Sequence, residues 1–277
     1  MRSVFFISLF WVVTQVSALA GDRVLSLGGS VTEIVYALGE ADRLVARDTT
    51  SSYPPEVEDL TDVGYLRALS PEGVLSVEPD LVLAEEGAGP PEAIAVLEAA
   101  RIPFVTIPDG YNREAVRAKI EAVANALGVP EKGAVLAADV DAALADAVAA
   151  ADGTETKRVM FILSMQGGRI LASGTDTAAD GIIHLAGAIN AVTAYEGYKP
   201  LTDEAAITAQ PDVILMMDRG GDHSADNSEV FSHPGLAASP AAQTGAVVRI
   251  DGLLLLGFGP RTPEAVNRLS DALVGAG

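Results

Sequence analysis

Short apolar runs alternate with amphipathic stretches along nearly the whole sequence after Asp22. "RVLSLG" reads as a strand ending in Gly28-Gly29, and "SVTEIVYALG" as a helix. Ser30, with Glu33 three residues on, predicts a capping box at the start of that helix. "RLVARD", "PDLVLAE" and "IPFVTIP" read as further strands, "PEAIAVLEAA" and "NREAVRAKIEAVANALG" as helices. Such alternation predicts a parallel sheet built from βαβ units. It is broken once, by the Ala-rich stretch "PEKGAVLAADVDAALADAVAAADG" from Pro130 to Gly153, whose only proline stands at its start. This predicts one helix of about 30 Å at 1.5 Å per residue. The alternation then restarts with "RVMFIL", "RILASG", the helix "DTAADGIIHLAG", the helix–strand "TDEAAITAQPDVILMM", "AVVRID" and a last helix from Thr262. The expected fold class is α/β, with two Rossmann-like lobes, 21–128 and 154–277, joined by a long helix over 129–153. Aromatic residues are only 5% of a chain that is 49% hydrophobic, so the core is expected to be aliphatic, which suits this class.

The first twenty residues, "MRSVFFISLFWVVTQVSALA", carry one positive charge at Arg2, then an apolar run, then Ala18-Leu19-Ala20. That pattern predicts a secretory leader cleaved after Ala20. The apolar run is short for a membrane span. The sequence has no cysteine, so neither disulfides nor a cysteine-linked lipid anchor is expected. A soluble periplasmic protein, monomeric, is the expectation. Without Arg2 the chain keeps 17 basic residues, one fewer than the 18 of the whole sequence, against 38 acidic ones, a net charge of −21. That balance opposes binding to nucleic acid or anionic lipid and is read as a solubilising surface.

Two segments match without a gap: "SPEGVLSVEPDLVL" from Ser70 and "TDEAAITAQPDVIL" from Thr202. A hydroxyl residue opens each, a glutamate stands third (Glu72 and Glu204), and Pro-Asp precedes each strand. A cap, an acid in the first helical turn and a Pro-Asp turn recur in helix–strand units generally. The match at an offset of about half the chain favours two related lobes.

Enzyme signatures are missing from the sequence. There is no G-x-S-x-G elbow, no phosphate-binding G-x-x-x-x-G-K-[ST], and no G-x-G-x-x-G after the first strand. The three histidines, His184, His223 and His233, lack metal-site spacing. Gly28-Gly29-Ser30 and Gly167-Gly168 each follow an apolar strand. Each pair either turns the chain tightly or offers backbone N–H groups to an anion in an inter-lobe cleft.

Several strings together give the chain a family resemblance: "SLGGSVTEIVYALG", "DVGYLRALSPEGVLSVEPDLVLAEEGAGPPEA", "ILSMQGGR", "TAADGIIHLAG", "YEGYKPLTDEAAITAQPDVILMM", "HPGLAASPAA" and "DGLLLLGFGPRTPEAV". It resembles the periplasmic substrate-binding proteins of ABC importers that carry haem, siderophores or cobalamin, the class with a rigid interdomain helix (class III). Within that class it is similar to the haemin-binding proteins. The resemblance implies that Tyr65, in Gly-Tyr-x-Arg, is the axial ligand of haem iron, haem b being the transported ligand. The chemistry is coherent, because ferric iron favours phenolate oxygen and a nearby cation stabilises a phenolate. Arg67 is expected to supply that cation or to pair with a propionate, both side chains facing the cleft from an extended loop. Arg169 and Arg261 are further propionate candidates. Gly29 and Ser30 are expected in the pocket, with Met165, Tyr195, Tyr198 and Phe258 packing on the porphyrin. One haem with one protein ligand is the expectation. The resemblance also implies docking of Glu72 and Glu204 onto a permease and its ATPase, downstream of an outer-membrane haem receptor system. No catalysis is implied. A ferric siderophore or cobalamin is the alternative cargo, and an exported hydrolase or metal chaperone the third reading.

Overall fold

The computed structural model describes residues 21–151, 154, 156–218 and 226–275. The expected leader, residues 1–20, lies outside the described residues, as do Gly153 and His223. The first lobe contains strands β1 (Val24–Leu27), β2 (Leu44–Arg47), β3 (Thr61–Asp62), β4 (Leu81–Glu85) and β5 (Phe104–Ile107). They are interleaved with helices α1 (Gly29–Ala37), α2 (Pro71–Ser76), α3 (Pro91–Ala99) and α4 (Arg113–Ala126). The strands form one sheet in the order β3-β2-β1-β4-β5, with every pairing parallel. β1 and β4 are buried on both faces, which is why their sequences run apolar without alternation.

Helix α5 (Pro130–Ala150) follows directly. Its buried positions, Gly133, Ala137, Val140, Leu144 and Ala147, alternate in steps of four and three and so lie on one face. Gly133 is required for the fit: a Cβ there would stand 2.3 Å from the Cβ of Ala124 on α4. The helix therefore packs flat against α4 rather than bridging open space.

The second lobe contains β6 (Arg158–Gln166), β7 (Arg169–Ser173), α6 (Ala178–Leu185), β8 (Ile189–Asn190), β9 (Tyr198–Leu201), α7 (Asp203–Ala209) and β10 (Val213–Asp218). It closes with α8 (Asn227–Ser232), α9 (Pro240–Thr244), β11 (Val247–Asp251), α10 (Gly252–Leu256) and α11 (Thr262–Gly275). Its sheet runs β11-β10-β6-β7-β9, with β8 beside β6. The expected parallel alternation fails here. β7 is antiparallel to both β6 and β9, so the sheet is mixed. The cause is Gly167-Gly168: both residues have positive φ, +58° and +71°, the backbone of a tight two-residue hairpin. This glycine pair turns a strand and does not face the cleft.

Helix α1 also departs from expectation. It starts at Gly29, and Ser30 is not its cap. The Gly28 N–H donates to Asp48 Oδ1 at 3.0 Å, and the Gly29 N–H to Thr50 Oγ1 at 2.9 Å. The cap thus comes from the loop after β2, reached because Gly28 adopts φ +116°. Those N–H groups are spent within the protein and are not offered to an anion. Glu33, freed from a capping box, pairs with Arg261 instead.

One apolar core runs through both lobes. It joins Val24 and Leu83 of the first sheet to Phe161 and Leu215 of the second, through Ile120 on α4, Leu144 on α5 and Leu269 on α11. The lobes are tied by shared packing, which predicts small relative motion.

Candidate ligand-binding site

A cavity of about 440 Å³ opens between the lobes. The first lobe supplies Gly29, Ser30, Tyr65, Leu66, Arg67, Glu85, Asp109 and Tyr111, and the second Ala178, Tyr198, Met217, Leu253 and Leu256. A second cavity of about 680 Å³ shares Arg67, Glu86, Asp109 and Tyr111 with the first and extends towards His184 on α6. Each falls in the range of ligand pockets, roughly 300–1,000 Å³.

The Tyr65 segment is built around Leu66. It is not extended: the Ala68 N–H donates to the Tyr65 carbonyl at 2.8 Å, closing a turn. Leu66 is only 6% exposed and packs in the first-lobe core, while its carbonyl accepts from the Gly89 N–H at 2.9 Å. Gly64, at φ +97°, lets the chain enter the turn. With Leu66 fixed inward, its neighbours Tyr65 and Arg67 both reach the cavity. Tyr65 is 46% exposed, and among the described residues no protein group hydrogen-bonds its hydroxyl.

The other two cleft tyrosines differ. Burial pushes the Tyr111 phenol up to about 12, reinforced by the neighbouring Asp109. Tyr198 on β9 is also raised by burial, against opposing pulls from the Thr177 hydroxyl, the Ala179 N–H and Arg67. Both stay protonated near neutral pH. Tyr111 is backed by Phe258, whose ring meets it edge-on at 5.5 Å.

The remaining candidates do not line the cavities. Phe258 is 2% exposed, lodged behind Tyr111 by its positive φ of +49°. Arg261 bonds Glu33 Oε2 at 2.9 Å and lies 3.5 Å over the Tyr53 ring, so its guanidinium closes a seam between lobes. Burial raises the Glu33 carboxyl, and the hydrogen bond and charge of Arg261 draw it back down. Met165 and Tyr195 pack on the core of the opposite face of the second sheet. Arg169 stands exposed opposite Gln166 at the end of the β6–β7 hairpin. His233 Nε2 bonds the Gly168 carbonyl at 2.9 Å and supports that hairpin.

Three site residues escaped the sequence reading: Lys119, Glu85 and Asp109. Lys119 Nζ bonds Glu85 Oε1 at 3.0 Å and Asp109 Oδ1 at 2.8 Å beneath the cavity. A signal was available. Lys119 falls in the apolar stripe of α4, between Val116 and Val123. A lysine there is excluded from water and must find partners.

Residues 24–253 match the model of the family described as periplasmic binding protein. The chain belongs to that family. Its architecture of two α/β lobes and a long helix is that of the class III binding proteins, the substrate-binding components of ABC importers. It is similar to a solved periplasmic haem-binding protein, BhuT, in complex with two haems. The two share 44% identity with a TM-score of 0.85, over 91% of this chain and 98% of that one. It is 30% identical to an uncharacterized ABC transporter substrate-binding lipoprotein, YvrC, of Bacillus subtilis, over 91% of this chain and 79% of that protein. It is also 28% identical to a vitamin B12-binding protein of Vibrio cholerae, over 90% of this chain and 87% of that one.

Proposed function

We propose that this binding protein captures haem in the inter-lobe cleft, with Tyr65 as the phenolate ligand of the iron, and delivers it to an ABC importer. The observation that carries the reading is the Tyr65 turn: an exposed phenol with no hydrogen-bond partner among the described residues, beside an exposed arginine, at a cavity wall. Tyr111 and Tyr198 are half-buried, and that burial raises their phenols, which makes them poorer ligands and good hydrogen-bond donors. Leu66, Leu253, Leu256 and Met217 give the cavity apolar surface for a porphyrin face. The similarity to a haem-binding protein at 44% identity supports the same reading. Residues 1–20 direct export and are removed after Ala20, and Glu72 and Glu204 present the two lobes to the permease. The lobes span 21–128 and 154–277 around a link, 129–153, that contains α5 (Pro130–Ala150).

A corrinoid is the second reading, favoured by the vitamin B12-binding relative. Titration of the purified protein with haemin distinguishes them. Saturable growth of a Soret band with tyrosinate charge-transfer bands is expected, saturating at one haem. Tight cyanocobalamin binding without a response to haemin overturns the haem reading.

Arg67 tests the polar end of the ligand. Exposed among Tyr65, Tyr111 and Tyr198, it is suited to a propionate. Arg67→Ala is expected to weaken haemin binding by about 1.5–3 kcal/mol, the range of a charge-assisted contact, and to leave the charge-transfer bands in place. Unchanged affinity across salt concentrations removes Arg67 from the site.

A further inference from the structure

Lys119 is wholly buried, and its Nζ has four oxygens within reach. Three belong to the first lobe: Ser30 Oγ at 3.2 Å, Glu85 Oε1 at 3.0 Å and Asp109 Oδ1 at 2.8 Å. The fourth, the Gly257 carbonyl at 3.2 Å, lies 138 residues away in the second lobe, just after α10. An ammonium has three protons to donate, so these acceptors saturate it. Two carboxylates offset the cost of burying it. The single second-lobe acceptor is not needed for charge balance. It is a contact between lobes.

The lobes also approach closely beside that contact. A Cβ on Gly29 would lie 2.5 Å from Leu253 Cδ1 of the second lobe and 2.5 Å from the Thr50 carbonyl of the first. Gly29, Leu253 and Gly257 line the cavity together with Ser30, Glu85 and Asp109. This part of the seam between lobes therefore also forms part of the cavity floor. Any change in lobe separation must stretch the Lys119–Gly257 bond and reshape the floor.

We propose that Lys119 is a positioning residue for the ligand site: a buried latch that fixes the separation of the two lobes, and with it the width of the cleft. The latch itself is independent of the cargo, but its effect on haemin affinity rests on the haem reading. Burial pushes the Glu85 carboxyl up, Lys119 draws it down and Asp109 pushes it up again.

The test uses the absence of cysteine from the sequence. Glu98→Cys on α3 and Gln243→Cys on α9, both exposed and one on each lobe, provide the only two thiols for spin labels. Pulsed EPR of the ligand-free protein then reads the inter-lobe distance. Lys119→Met fills the space without an ammonium. The triple variant Lys119→Met, Glu85→Gln, Asp109→Asn removes every charge of the cluster at constant shape. It keeps the test open where the single variant does not fold. Because the shared core still holds the lobes, both are expected to broaden the distance distribution measurably rather than to displace it far. Haemin dissociation from the folded variants is expected to quicken roughly tenfold. A distribution identical to wild type in the folded variant overturns the latch, even if its melting temperature falls, because a merely stabilising ion cluster predicts that result. Failure of wild type to bind haemin overturns the cargo and leaves the distance result to decide the latch alone.

Discussion

Tyr65→Phe is expected to weaken haemin binding by more than about 100-fold and to abolish the tyrosinate charge-transfer bands. Changes one shell outside a metal already cost about 10–100-fold in affinity, and loss of the ligand atom itself exceeds that. The substitution keeps the ring and its contacts. Tyr65 is 46% exposed and its hydroxyl has no partner among the described residues, so the fold is expected to lose at most about 0.5 kcal/mol. Affinity and stability are thereby separated in one variant. Tyr111→Phe and Tyr198→Phe are the matched controls. Both phenols are held protonated by burial, so both variants are expected to keep the bands. A wild-type spectrum from Tyr65→Phe, or loss of the bands in Tyr111→Phe, transfers the ligand role away from Tyr65.

The first lobe was legible because each of its main strands and helices is specified locally. Runs such as Leu81–Glu85, buried on both faces, can only be central parallel strands. The second lobe was harder because its exception lies in two residues. Gly167-Gly168 is equally consistent with a loop and with a hairpin, and only the pairing of Gln166 with Arg169 decides. The capping box at Ser30 and Glu33 had the right spacing and failed for a tertiary reason: Asp48 and Thr50, about twenty residues away, reach the helix start first.

At the site, Tyr65 and Arg67 stood out through the resemblance of their motif, yet the physical device that turns both outward is Leu66, which reads as an ordinary apolar residue. Arg261 and Phe258 lie in a glycine-rich string close to the cleft in sequence, but their side chains point into the seam behind it. Side-chain direction after a positive-φ residue is not written in local pattern. Lys119 is the converse case, a charge in an apolar stripe whose four partners come from four separate segments.

The paired segments carry the second large effect. Ser70 Oγ accepts from the Gly73 N–H at 3.4 Å and Thr202 Oγ1 from the Ala205 N–H at 3.2 Å, so α2 and α7 have equivalent caps. The glutamates are not those caps. Glu72 accepts from the Ser70 hydroxyl at 2.8 Å, which holds its carboxyl below the usual range, and both Glu72 and Glu204 are exposed. Neither lines the cavity at Tyr65. Two equivalent acids on two lobes suit a permease with two-fold symmetry, whose halves offer equivalent basic sites. Glu72→Lys with Glu204→Lys is therefore expected to leave haemin binding near wild type and to abolish stimulation of the reconstituted importer's ATPase. Because Ser70 and Thr202 keep their bonds, only a small fall in melting temperature is expected. Each single reversal leaves one docking contact and is expected to retain part of the stimulation. Full transport by the double variant sinks the docking role. Loss of haemin binding in a folded double variant would instead mean that these helix starts communicate with the cleft.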